Sequence, residues 1–374
     1  MQNPFTLVIF GATGDLAKRY LLPAIQYMKE NQLLPEKFEL IATSRSEYIT
    51  LPERIRTAEQ SFGAGTELLF HLAVPTKGCK ETIDWIVAQG LTQKNVKILL
   101  EKPFGVDLSS AENLARHIAK YFSEDQIYRV DHYLARETVQ DILKKRIVDS
   151  TLEARWNKDH IEEIHIESSE KIGIEGRVRF YEETGALRDW VQSHLLEITA
   201  LVLMKLPEGG EEIPELRALA LAELAIVCDI TKHECVKRGQ YDGYREEVGN
   251  PKSRVETFVS LHLVSNDSRW QGVPITLSHG KALEERYARA SVKFKDGSTL
   301  VFELAHRNGN HVNGYVDVYQ GIIAGAHHLF TSTHEVLESW RILDAVQKSW
   351  LHADLSGTED LIIYKQGSSL DSLK

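Results

Sequence analysis

Apolar residues in the first 130 positions come as short runs separated by amphipathic stretches. Phe5–Phe10 (FTLVIF) is apolar throughout, as expected of a strand buried on both faces of a parallel sheet. Phe38–Thr43, Glu67–Val74, Val96–Leu100 and Gln126–Val130 predict further strands. Between them, Leu21, Ile25 and Met28 share a helical face, and Asp84–Ala88 reads as helix. Ser109-x-x-Glu112 resembles a capping box that opens a helix to about Tyr121. Pro23 predicts a break after the first helical turn, because proline lacks an N–H and clashes with the turn before it. Strands alternating with helices predict an α/β doubly wound parallel sheet.

The pattern then changes. Leu134–Ile147, Leu187–Leu206 and Ala218–Ile230 carry helical spacing, and Ile161–Ser168 alternates as a strand does. Thr257–Val264, Tyr287–Lys295, Ser298–Leu304 and His311–Val318 alternate as well, with a hairpin signal at Lys295-Asp296-Gly297-Ser298. These predict an α+β domain with a large, mostly antiparallel sheet. The expected division is 1–131 and 132–374. The tail after Ser356 is weakly patterned.

A chain of 374 residues suits two domains. Its 44 basic against 54 acidic residues give a net charge of −10, which disfavours nucleic acid as a partner while leaving anionic small molecules open. Cys79, Cys228 and Cys235 are too few for a disulfide framework and lack zinc spacing, as do His327-His328 and His233-x-Cys235. No run approaches a membrane span and no secretory leader is evident, so the expected setting is the cytoplasm, with no membrane partner and no metal.

Gly11-Ala12-Thr13-Gly14-Asp15-Leu16 lies between a buried strand and a helix, where open α/β sheets bind phosphates on backbone N–H groups and a helix N-terminus. The same spacing also serves as an ordinary tight connection. The second strand ends at Ser44-Arg45, and an Arg there suits a ribose 2′-phosphate where an acid would suit the free hydroxyl; otherwise it is a solvated arginine. Lys102, fixed by Pro103, could hold a substrate hydroxyl or the cofactor amide, or simply precede a turn. Asp131, His132, Tyr133 and Arg136 gather where a strand meets a helix. They could bind phosphate, with Asp131 left to orient another group or to cap the helix. His194, with Asp189 on the same helix, is either a core histidine or a general base. Gly280–Arg286 reads as a solvated charged face.

In order, GATGDLAKR at 11–19, EKPFG at 101–105, RVDHYLARE at 129–137 and LRDWVQSHLL at 187–196 resemble the glucose-6-phosphate dehydrogenase family. So do RGQY at 238–241, RWQGVP at 269–274 and GKALEER at 280–286, and the resemblance runs from about Phe5 to Tyr364. It implies a Rossmann-type NADP domain, a β+α domain whose sheet forms a homodimer, and hydride transfer from C1 of a hexose 6-phosphate to NADP, with NAD a possible substitute. Carried over, His194 is the base and Asp131 its orienting partner. His132, Tyr133 and Arg136 bind phosphate. Glu170, Asp189, Lys281 and Arg286 contact the sugar. Lys102 bridges sugar and nicotinamide, and Pro103 corresponds to a cis proline. Gly11, Thr13, Gly14, Asp15 and Leu16 hold the pyrophosphate, Ser44 and Arg45 the 2′-phosphate, and Ala73 and Pro75 line the nicotinamide side.

Several positions depart from the family pattern. Arg136 and Tyr20 stand where lysines are usual, and Glu303-x-Ala305 where Arg-x-Gln is usual. The chain is about a hundred residues short, largely between Arg45 and Glu67. The rival readings are an oxidoreductase of the glucose–fructose oxidoreductase type and an inactive homologue that only binds nucleotide or sugar phosphate.

Overall fold

The computed structural model describes residues 3–63, 65–226, 235–305, 313–357 and 360–374, and the chain forms two compact units. In the first, β1 (Phe5–Phe10), β2 (Phe38–Thr43), β3 (Glu67–Leu72), β4 (Val96–Leu100) and β5 (Ile127–Arg129) form one parallel sheet of order β2-β1-β3-β4-β5. This is the doubly wound order 3-2-1-4-5-6 without its outermost strand, so the chain is short at the sheet edge beyond β2.

Helices complete this unit. Pro23 does not break the first helix. A π-helical stretch, Ala17–Leu21, runs directly into the α-helix Leu22–Glu30, and the proline, which has no N–H to give the helix, sits at the junction where the winding changes. Leu21, Ile25 and Met28 are buried, as the periodicity requires. The helix Leu108–Ile118 begins before Ser109, which therefore lies inside it instead of capping it. Helices Leu51–Phe62 and Thr76–Ala88 complete the crossovers.

The first unit runs on to Arg136 and takes back the helix Asn313–Ile323. That segment was expected as a strand of the second domain. Tyr315, Val318, Tyr319 and Ile322 are buried against the first unit's core at helical spacing, which outweighs the β-branched alternation. Residues 311 and 312 of the expected strand lie outside the described residues.

In the second unit, β6 (Ile161–Ser169), β7 (Leu224–Ile226), β8 (Val236–Tyr241), β9 (Phe258–Ser265), β10 (Ile275–Gly280), β11 (Tyr287–Phe294), β12 (Thr299–Glu303) and β13 (Leu361–Tyr364) form one sheet. Its order is β12-β11-β6-β10-β9-β8-β13, with β7 beside β9. Most pairs are antiparallel; β6 with β10 and β8 with β13 are parallel. Gly297, at φ 87°, turns the β11–β12 hairpin.

The expected helix over 218–230 is replaced by the helix Ile213–Ala222, opened by Pro214, and then β7, which the β9 edge recruits. Residues 227–230 lie outside the description. The apolar stretch from Leu187 is a π-helix, Leu187–Leu195, followed by an α-helix, Leu196–Leu203. The amphipathic helix expected from Leu134 begins at Glu137.

Cys79 is a free, buried thiol that burial pushes up to about 12, so it is unreactive. Cys235 is disulfide-bonded, which the cysteine count does not imply. Cys228 and His233 lie outside the described residues. Among those described, no cluster could hold a metal ion and no helix is long and apolar enough to cross a membrane.

Candidate active site

Every candidate of the first unit sits at the carboxyl end of a parallel strand, the edge where such sheets bind ligands. Gly11 follows β1 at φ 84°, and a Cβ there would stand 2.3 Å from the Ala73 carbonyl oxygen after β3. Only glycine fits. The Gly11 and Ala12 amides both donate to the Thr43 carbonyl at 3.1 Å, tying this turn to the end of β2. The Gly14 amide closes the turn on the Gly11 carbonyl at 2.9 Å. Thr13 and Asp15 are exposed, Asp15 pairs with Arg19 at 2.7 Å, and Leu16 packs on the core. The helix opens directly after this turn, its Lys18 amide already bonded to the Gly14 carbonyl at 3.1 Å, so amides available to a phosphate lie before Lys18.

Ser44 forms a capping box with Glu47. Its amide and hydroxyl donate to that carboxylate at 2.7 and 2.8 Å and hold it below the usual range. Arg45 is exposed, and its guanidinium reaches Glu81 of the helix Thr76–Ala88 at 2.5 Å. Pro75 occupies that helix's N-cap position, its carbonyl accepting the Gly78 amide at 2.7 Å. Tyr20 packs against Tyr315, so the position where the family carries a lysine serves the core here.

After β4, Lys102 is half-buried and the Lys102–Pro103 bond is cis. The residue before it is held by a buried network. Glu101 pairs with His71 at 2.7 Å and accepts from the Tyr315 hydroxyl at 3.2 Å, and His71 Nδ1 meets the Tyr319 hydroxyl at 2.8 Å. Burial raises both tyrosines well above their ordinary value, which keeps them protonated.

Asp131, Tyr133 and Arg136 are buried in the turns after β5. One Asp131 oxygen accepts the amides of Tyr133 at 2.8 Å and Leu134 at 3.3 Å, and the Arg136 guanidinium lies 3.3 Å from the Tyr133 ring centroid. His132 is beside that ring. These residues precede the helix Glu137–Val148 instead of lying on it.

In the second unit, Glu170 follows β6 and Lys281 follows β10, its parallel neighbour, so both stand at one sheet edge. Arg286 enters β11 at the same edge and is exposed. Lys281 is buried and bonded to Glu170, so the stretch expected as a solvated face is solvated only beyond Leu283. The π-helix carries Asp189, Trp190 and His194, all buried. Its i→i+5 winding brings Asp189 and His194, five apart, toward one face, where an α-helix would splay them. The Trp190 ring stands edge-on to His194 at 5.2 Å and stacks on His279 at 4.4 Å and 13°. His279 is fully buried, 3.9 Å from Glu170; burial first, then Lys281, pulls its pKa well below the ordinary value, so it is neutral.

Glu256 sets the start of that π-helix. Its carboxylate accepts the Leu187 amide at 2.9 Å, its carbonyl accepts the Ala186 amide at 2.9 Å, and a Cβ on Gly185 would stand 2.3 Å from its carboxylate. Burial raises its pKa above the ordinary 4.5 despite the Leu187 hydrogen bond. The native state then holds the proton more tightly than the unfolded chain. This group's contribution is largest below pH 4.5 and falls as pH rises through the raised native value. Glu256→Gln keeps an acceptor for Leu187 and is expected to match or exceed the parent's Tm at pH 7–8, measured by thermal unfolding across pH. A fall of several degrees there would mean that the ionised carboxylate is needed.

Sequence reasoning missed Glu81, the His71–Glu101–Tyr319 network, Glu256 and the Trp190–His279 stack. Only Glu101 carried a signal, by adjoining Lys102.

A parallel sheet with a glycine-gated turn after its first strand, joined in sequence to an α+β unit that carries buried Lys281, Asp189 and His194 and half-buried Glu170, has the framework of a nicotinamide-dinucleotide dehydrogenase. Family profiles refine this. The glucose-6-phosphate dehydrogenase NAD-binding domain matches residues 8–50 and 44–141, and its C-terminal domain matches 143–312. The chain belongs to the glucose-6-phosphate dehydrogenase family.

It is 32% identical to glucose-6-phosphate 1-dehydrogenase of Bacillus subtilis, over 83% of this chain and 75% of that one. It is 28% identical to the same enzyme of Chlamydia pneumoniae, over 98% and 93%. The crystal structure of the Mycobacterium avium enzyme superposes with a TM-score of 0.82 at 26% identity, covering 98% and 95%. The Chlamydia alignment spans 478 positions against 374 residues, so about a hundred positions are unmatched. The N-terminal profile breaks at 44–50, where the sheet lacks its outer strand.

Proposed function

We propose that this oxidoreductase converts glucose 6-phosphate, or a closely related hexose 6-phosphate, to the 6-phospho-lactone, with NADP as hydride acceptor. What carries the reading is a family match whose residue ranges span both units and include their sheet edges. The first unit fits the dinucleotide: the cradle at Gly11 has no room for a Cβ, a helix opens directly after it, and Arg45 stands at the end of β2. When bound, the nicotinamide supplies the acceptor for the hydride that leaves C1.

In this reading His194 takes the proton of the C1 hydroxyl, and the Asp131 carboxylate stabilises the resulting imidazolium. Lys281, Glu170 and Asp189 hold the sugar hydroxyls, assisted by Arg286. His132, Tyr133 and Arg136 bind the 6-phosphate, whose binding energy orients C1. The Arg136 guanidinium substitutes for an ammonium with a planar fork. Lys102 orients the reacting hydroxyl against the cofactor, while Gly11, Thr13, Gly14, Asp15 and Leu16 take the pyrophosphate. Ser44, Ala73 and Pro75 line the adenosine and nicotinamide ends. The active form is a homodimer built on the second unit's sheet.

The test is an absorbance assay at 340 nm with a panel of hexoses and hexose 6-phosphates, each with both dinucleotides. Turnover confined to C1 of a 6-phosphate is expected. Oxidation at another ring carbon, or binding with no turnover on any hexose phosphate, would overturn the reading.

A further inference from the structure

The Arg45 guanidinium is not simply open to solvent. It is paired with Glu81 at 2.5 Å although both side chains are about three-quarters exposed, 76% and 69%. Gly78, one turn before Glu81, leaves space beneath it: a Cβ there would stand 4.0 Å from Arg45 Nη2, so the guanidinium lies across the first turns of the helix Thr76–Ala88. The Ser44–Glu47 capping box fixes the backbone from which Arg45 projects, and the Thr43 carbonyl ties that strand end to the phosphate turn. A carboxylate therefore stands at the point where Arg45 would meet a ribose 2′-substituent.

We propose that Glu81 sets the discrimination between the two dinucleotides, opposing a 2′-phosphate and accepting a hydrogen bond from a free 2′-hydroxyl, so that this chain binds NADP and NAD with comparable affinity. The proposal rests on the reading of Arg45 as the 2′-phosphate contact. A dianionic 2′-phosphate has to displace Glu81 from Arg45 and then lie beside that carboxylate, and both steps weaken binding. A neutral 2′-hydroxyl meets neither obstacle, and a carboxylate is its usual partner in dinucleotide folds. Because the pair is exposed, the effect is modest and falls with salt.

The experiment is fluorescence titration of the full chain with NADPH and NADH, at low and at about 0.5 M salt, for the parent, Glu81→Gln, Glu81→Lys and Arg45→Ala. Circular dichroism melts check that these surface changes leave the fold intact. Glu81→Gln is expected to raise the NADPH:NADH affinity ratio about two- to fivefold at low salt, Glu81→Lys to raise it further, and high salt to shrink both gains. Arg45→Ala is expected to lower the ratio. A ratio within twofold of the parent in both Glu81 variants, with Arg45→Ala still lowering it, overturns the role of Glu81 alone. An unchanged ratio in Arg45→Ala means that Arg45 does not read the 2′-phosphate, and the proposal falls with that reading.

Discussion

His194→Asn is expected to lower kcat by about two to four orders of magnitude while changing KM for the sugar phosphate less than about threefold, the range for losing a general base. The physical reason is the division of labour at this position. His194 is 1% exposed, and its ring is set by the edge of Trp190, which is itself braced by the stacked His279. Asparagine keeps a polar group in that slot but cannot take a proton near pH 7, so binding survives and chemistry does not. The acid limb of the kcat/KM profile, which reports the base in the free enzyme, should vanish in the variant. Steady-state kinetics across pH decides the matter; an unaltered kcat would remove His194 from the mechanism.

The largest stability effect is expected from Glu335→Gln. Arg217 and Glu335 form a fully buried ion pair, with Glu197 at 3.8 Å and 2% exposed. They join the helices Ile213–Ala222, Thr333–Ser356 and Leu196–Leu203, the last continuing the π-helix that carries His194. Removing one charge leaves the guanidinium buried beside the more distant Glu197 carboxylate. Breaking such a pair costs about 3–5 kcal/mol, and the remaining Glu197 argues for the lower end. A Tm lower by roughly 10 °C follows for a unit of this size. The triple variant Arg217→Met/Glu335→Met/Glu197→Gln, which removes every charge of the cluster named here, should recover most of the loss, since well-packed uncharged residues often replace a buried pair at no cost. If the single variant melts within a degree or two of the parent, this pair does not hold the helices together.

Where one local rule dominated, the sequence was legible. Phe5–Phe10, Phe38–Thr43 and Val96–Leu100 are strands with the bounds their sequence predicts, and Phe5–Phe10, buried at every position, is the clearest of them because its run has no charged residue to blur the edges. The glycine turn was legible for a similar reason: a positive φ and a backbone contact at one residue admit a single amino acid. Asn313–Ile323 was misread because tyrosines and valines serve a strand and a helix equally, and only the partner surface chooses. The Ser109 motif was misread because a capping box needs a chain end that the preceding loop did not provide.

Local sequence thus determined the strands, the phosphate turn and the residue types available for chemistry, since each depends on neighbours within a few positions. Tertiary structure alone decided which of those residues are buried and what they face: Lys281 against Glu170, Glu256 beneath the π-helix, His279 against Trp190, Glu81 against Arg45. Those pairings join segments from about 36 to more than a hundred residues apart. Their energies come from desolvation and distance, and neither is defined until distant strands share an edge.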